Sequence, residues 1–201
     1  MARSHHDGRH EHLLGDGTRV IVRPIEPGDG DKLRAAFDRL SPESRYRRFF
    51  TAMPRLSETM LHHLLDVDGS DRAAWAALDA DTEGEPGIGV ARYYRLDDQP
   101  DAAEMAVAVV DDYQHRGIGS LLLQHLSATA REHGIDHFVG TVLSQNRPML
   151  DLIESAGGRY ALDEPGVLRL EIDVPEVPWN DDTRRPGVFA LLRAAARWRD
   201  D

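Results

Sequence analysis

EMAVAVVDDYQHRGIGSLLLQHLSATAREH, residues 104–133, decides how this chain folds. The apolar run 105–110 reads as a buried strand. Gln114-His115-Arg116-Gly117-Ile118-Gly119 reads as a glycine-bearing turn. Leu121, Leu122, Leu126 and Ala130 then recur at helical spacing, with Ser120 expected to open the helix. Gly117 and Gly119 let the backbone approach a ligand with no Cβ in the way. The helix presents free N–H groups and the positive end of its dipole to whatever lies in the turn. Strand, glycine turn and helix make an anion cradle suited to a pyrophosphate. Spacing excludes two common phosphate loops. A G-x-x-x-x-G-K-[ST] loop needs a lysine where Ser120 stands, and a G-x-G-x-x-G fingerprint needs a third glycine where Leu122 stands.

What remains, Gln114-x-x-Gly117-x-Gly119 between a strand and a helix, resembles the coenzyme A loop of the GCN5-related N-acetyltransferase (GNAT) family. A second segment extends the resemblance. Residues 137–142 read as a strand, and Ser144-Gln145-Asn146-Arg147-Pro148-Met149-Leu150 leads into a helix ending near Gly157-Gly158. Asn146, Met149 and Gly157 match the family's second cofactor motif. Gly158 stands where the family carries an aromatic residue, with Tyr160 two residues on. The resemblance implies acetyl-CoA as cofactor. It implies that the amides of His115, Arg116, Gly117, Ile118, Gly119 and Ser120 face its pyrophosphate. It further implies that the strand Val107-Ala108-Val109 pairs with the pantetheine arm and polarises the thioester carbonyl, an oxyanion-hole role. Asn146 would contact the cofactor through its side chain. Many family members place a tyrosine acid seven residues after that Asn. Here the position is Ile153, so thiolate departure relies on water or another group.

The string LSPESRYRRFF, residues 40–50, narrows the resemblance to the GNAT domain of bacterial Pat-type protein lysine acetyltransferases. Ser41 is a suitable N-cap, Pro42 suits the first helical position and Glu43 the first turn. Its arginines and phenylalanines read as packing and solvated charge. The resemblance also assigns a general base. A lysine amine has a pKa of about 10.4, so about one in a thousand is neutral near pH 7.4. In Pat-type enzymes a glutamate in an A-E-x-A-V context removes the proton. Here that string is Ala103-Glu104-Met105-Ala106-Val107, with Glu104 expected to be partly buried and its pKa raised.

The 201 residues suit one domain with appendages. A net charge of −11 argues against a nucleic-acid partner. No apolar run approaches a membrane span and no apolar signal core opens the chain, so cytoplasmic residence is expected. With no cysteine, a cysteinyl acyl-enzyme is excluded and direct transfer favoured. Residues 1–17, rich in histidine, read as a mobile tail with no metal-binding frame. Residues 18–175 form the expected GNAT domain, with elements in the order β-α-α-β-β-β-α-β-α-β-β. The fold class is therefore α/β, with a mixed sheet of about six to seven strands flanked by helices. Residues 176–201 read as an extension with an amphipathic helix whose Phe189, Leu192 and Trp198 pack back on the sheet, join a homodimer or dock in a groove. The expected function is acetyl transfer to a primary amine, on a protein lysine. A small-amine acetyltransferase and a non-catalytic acyl-CoA sensor are the alternatives.

Overall fold

The structure, a computed structural model, describes residues 8–175. The expected C-terminal amphipathic helix and residues 1–7 lie outside the described residues. Among the described residues eight strands form one sheet. In chain order they are β1 (His10–Leu13), β2 (Arg19–Pro24), β3 (Arg72–Asp79), β4 (Gly87–Arg95), β5 (Ala102–Val109), β6 (His137–Leu143), β7 (Arg159–Glu164) and β8 (Val167–Asp173). Their spatial order is β1-β2-β3-β4-β5-β6-β8-β7, antiparallel throughout except between β5 and β6. The mixed α/β sheet is as expected, with one strand more. The additional strand, β1, takes residues 10–13 out of the mobile tail expected over residues 1–17. It pairs with β2 from His10↔Val22 to Leu13↔Arg19, and His10 and His125 pack with ring centroids 4.7 Å apart. Four polar-rich residues at a sheet edge carry too little apolar alternation to announce a strand.

Among the described residues five helices flank the sheet: α1 (Gly30–Asp38), α2 (Pro42–Phe49), α3 (Glu58–Leu65), α4 (Ile118–Glu132) and α5 (Arg147–Ser155). The caps follow the sequence. The Ser41 hydroxyl accepts from Ser44 N–H at the start of α2, and the Ser57 hydroxyl from Met60 N–H at the start of α3. The main core lies on the α4 face, where Leu122, Leu126 and Ala130 meet Val20, Val22, Ala91, Tyr93 and Met105, joined by Leu150 and Ile153 of α5. Burying each such large side chain contributes about 1.5–3 kcal/mol of transfer free energy. The opposite face is covered at Ile21, Ala74, Ala76 and Leu78 by Leu33 and Leu65. Two glycines allow close approaches. A Cβ at Gly89 would come 3.1 Å from Leu122 and 3.2 Å from Ile118, so its absence lets the start of α4 lie tight on β4. A Cβ at Gly140 would come 3.1 Å from the Met105 carbonyl.

The feature that makes room for chemistry is a split in the sheet. β5 and β6 pair only from Ala102↔His137 to Glu104↔Val139, while β5 stays paired with β4 as far as Val109↔Gly89. Beyond Glu104 the two strands part. Backbone groups of successive strand residues alternate between the two edges. Val110 N–H bonds the Ile88 carbonyl on the β4 side, so the groups of Val107 and Val109 face the opening.

Candidate active site

The opening is a cleft of about 560 Å³ whose walls come from β5, the turn before α4, the start of α5, and α2. Its lining gathers Glu104, Val107, Ala108, Val109, Gln114, His115, Gly117, Ile118, Gly119, Ser120, Asn146 and Met149. Among the residues read from the sequence, Arg116 alone does not line it. Its guanidinium turns to Asp16 at 3.4 Å and lies 5.0 Å from the Tyr113 ring centroid, leaving its backbone in the turn.

The turn is a backbone cradle. His115 and Gly117 both take positive φ, 61° and 88°. Such reversals turn successive N–H groups toward one side. Gly117 is the N-cap, so the helix begins at Ile118, two residues before the Ser120 start read from the sequence. The first helical bond runs from Leu121 N–H to the Gly117 carbonyl at 3.0 Å, which leaves the amides of Ile118, Gly119 and Ser120 outside the helical ladder. Gly117 is required by its φ, whereas a Cβ at Gly119 would sit 3.4 Å from Leu152 of α5. This array of free amides at a helix N-terminus fits a pyrophosphate, and the unpaired edge of β5 fits an amide-bearing arm laid beside it.

The α2 wall is fastened to the cradle by contacts that sequence reading did not find. The Asp111 carboxylate accepts from Ser41 N–H at 2.9 Å and from the Ser41 and Ser44 hydroxyls at 2.8 Å each. Burial pushes its pKa up, yet these three bonds outweigh burial and hold it below the ordinary carboxylate value. Gln114 Nε2 donates to the Val109 carbonyl at 3.0 Å, with the Ser44 hydroxyl 3.4 Å away. Gln114 therefore straps the turn to the end of β5. A signal existed in the serines of LSPES, but their partner lies about seventy positions along the chain.

Asn146 caps α5, its carboxamide oxygen accepting from Met149 N–H at 3.4 Å, which leaves Nδ2 as the donor for a ligand. Ile153 is fully buried. A Cβ at the neighbouring Gly158 would lie 2.8 Å from both Ile153 and Ile172, so the family's aromatic residue has no room there. Tyr160 instead donates to Glu154 at 2.7 Å on the surface. Glu104 stands where the strands part, and its side chain lines the cleft. The expected partial burial is not found: Glu104 is exposed, because it borders the open cleft. Among the described residues its carboxylate makes no hydrogen bond or ion pair.

The arginines of α2 divide into three roles. Arg45 braces the loop, donating to the carbonyls of Leu40, Pro54 and Asp38 over the Phe37 ring. Arg47 pairs with Glu43 at 2.6 Å. Among the described residues Arg48 makes no hydrogen bond or ion pair; its guanidinium lies 5.0 Å from the Phe49 ring centroid, and it lines the cleft with Phe49 and Phe50. Burial and the nearby Arg92 cation push the Arg48 guanidinium down to about 10, opposed by Tyr94 and Glu104, so it remains cationic at neutral pH.

The fold and cleft are those of an acetyl-CoA-dependent acyltransferase. The family model described as "Acetyltransferase (GNAT) family" matches residues 34–157, and the chain belongs to that family of N-acetyltransferases. It is 35% identical over 163 residues to Acetyltransferase Pat of Mycolicibacterium smegmatis, covering 80% of this chain and 47% of that protein. It is 32% identical over 144 residues to Acetyltransferase PA5475 of Pseudomonas aeruginosa, covering 72% of this chain and 77% of that protein. The chain thus spans about half the length of the Pat protein it matches. Among solved structures, the GNAT domain of S. lividans PAT superposes with a TM-score of 0.76 at 37% identity, over 86% of this chain and 99% of that one.

Proposed function

We propose that this chain transfers acetyl directly to a primary amine, the side chain of a protein lysine, with Glu104 as general base. Acetyl-CoA supplies an activated thioester when bound. The amides of the turn hold its pyrophosphate, and Asn146 Nδ2 donates to the arm that follows. A backbone N–H on the free edge of β5 polarises the acyl carbonyl. The single observation that carries the reading is the placing of Glu104. Its carboxylate stands where β5 and β6 part, in the wall of the cleft, with no other partner among the described residues. It accepts the ammonium proton of the acceptor through a water, which makes the amine a nucleophile. With Ile153 buried in the core, the departing thiolate takes its proton from water. The likeness of residues 40–50 to the Pat-type string supports lysine as acceptor.

Glu104→Gln keeps shape and removes proton acceptance. The variant is expected to bind acetyl-CoA with unchanged affinity by calorimetry while turnover falls by roughly 10²–10⁴ at neutral pH. The deficit should shrink toward pH 10, where the acceptor amine is increasingly neutral. Near-normal turnover at neutral pH would place the base elsewhere.

A further inference from the structure

Phe50 follows the last residue of α2 with φ 56° and ψ 15°, in the left-handed region. Its N–H bonds the Tyr46 carbonyl at 2.8 Å and so closes the final turn. Glycine is the usual residue at such a helix end, and a bulky aromatic there is an outlier. Burial does not explain the choice. Phe49 packs on Phe37 with ring centroids 5.8 Å apart, whereas Phe50 is 38% exposed and lines the cleft. Strain held at an exposed side chain in a cleft points to a role for that side chain. The course of α2 sets where the ring lies. Its first turn is fastened to Asp111 and Gln114, at the cradle end of β5. Near its last turn Arg48 lies within electrostatic reach of Glu104, at the other end of β5. The helix therefore runs from the cradle toward Glu104, and Phe50 comes at the Glu104 end.

We propose that Phe50 is a specificity-determining residue whose ring covers the methylene stem of the acceptor while the terminal amine faces Glu104. The inference rests on the acetyl-transfer reading and adds to it the shape of the acceptor, an unbranched alkyl arm ending in a primary amine. An aromatic ring against methylene groups removes apolar area from water and asks for no polar partner. The stem is hydrocarbon rather than the spacer of a second ammonium, because Arg48, in the same wall, carries a charge that repels one. The competing occupant is an acyl chain longer than acetyl, which the same ring would cover from the cofactor side.

The test measures thiol release from acetyl-CoA with the full chain and acceptors of graded stem length. One series is ethylamine, butylamine and hexylamine. The other is a single peptide carrying diaminobutyrate, ornithine or lysine. Wild type is expected to gain roughly two- to fourfold in kcat/KM per added methylene, chiefly through KM. Phe50→Gly should flatten that dependence while its melting temperature holds or rises, because glycine accepts the left-handed backbone without strain. Phe50→Leu should keep part of the dependence. If Phe50→Gly does not fold, Phe50→Asn, the other residue tolerant of this φ, takes its place. A flat dependence in wild type overturns the proposal. So does a dependence that survives in the folded Gly or Asn variant, which would make the ring structural. A change in the choice between acetyl-CoA and butyryl-CoA, with the amine dependence intact, assigns the ring to the acyl chain and also overturns it. If no acceptor turns over, the acetyl-transfer reading fails separately. The stem site is then decided by thermal shift with hexylamine and ethylamine in the presence of CoA. Greater stabilisation by hexylamine in wild type but not in Phe50→Gly supports it, and equal responses exclude it.

Discussion

At Gly117 a φ of 88° is combined with the first free amides of α4, so backbone conformation and ligand chemistry meet at one position. Gly117→Glu adds a side chain where L residues are strained, at a cost of roughly 1–2 kcal/mol. It also sets a negative charge beside a polyanion site. No heavy atom outside the neighbouring residues lies within 4 Å of the new Cβ, so the turn accommodates its bulk. The variant is expected to keep its circular dichroism and to lose acetyl-CoA binding by calorimetry. Unchanged affinity in the folded variant would remove the cradle from the cofactor site. The glycines and Asn146 were legible because they form short local motifs. The exposure of Glu104 was not, because it depends on how elements distant in sequence leave the cleft open above it. Arg92 was not legible either. In GVARYYR it reads as an ordinary outward residue of an alternating strand, and its burial comes from helices elsewhere in the chain.

Among the elements, α2 and the cradle behave as one piece because Ser41 and Ser44 share Asp111. The sequence announced Ser41 as a cap, which is a local property, but not its second role as a donor to a distant carboxylate. Strands β3 to β6 were legible from apolar runs. β1 was not, since pairing with β2 and packing against His125 hold it rather than its own pattern. Asp111→Asn should lower unfolding stability by about 1–2 kcal/mol at pH 7, by urea titration. The sign with pH is fixed by the depressed pKa of Asp111. Its contribution is fully present above the unfolded carboxylate value of about 4 and is lost as pH falls through the lower folded value. The gap between wild type and Asp111→Asn should therefore narrow below about pH 4. A gap that widened on acidification would contradict the clamp.

For the whole molecule, the parting of β5 from β6 decides which amides meet solvent. Val107 and Val109 point their N–H groups into the opening, while Ala106 and Ala108 face β4 along the paired edge. Amide hydrogen exchange should find the first pair fast and the second slow, with acetyl-CoA slowing Val107 and Val109 selectively. Equal protection of all four with and without acetyl-CoA would show that this edge is not the cofactor seam.

A sheet with an open seam also ties folding to metabolism. A molecule that docks along β5 completes the hydrogen-bonding of a central strand in the folded chain and has no such surface in the unfolded one. Its concentration therefore becomes a term in the unfolding equilibrium, with melting temperature rising logarithmically once it exceeds the dissociation constant. A cell whose acetyl-CoA pool falls would hold this domain in a less durable form, more open to proteolysis. Abundance of the enzyme would then follow supply of the donor without any separate regulator.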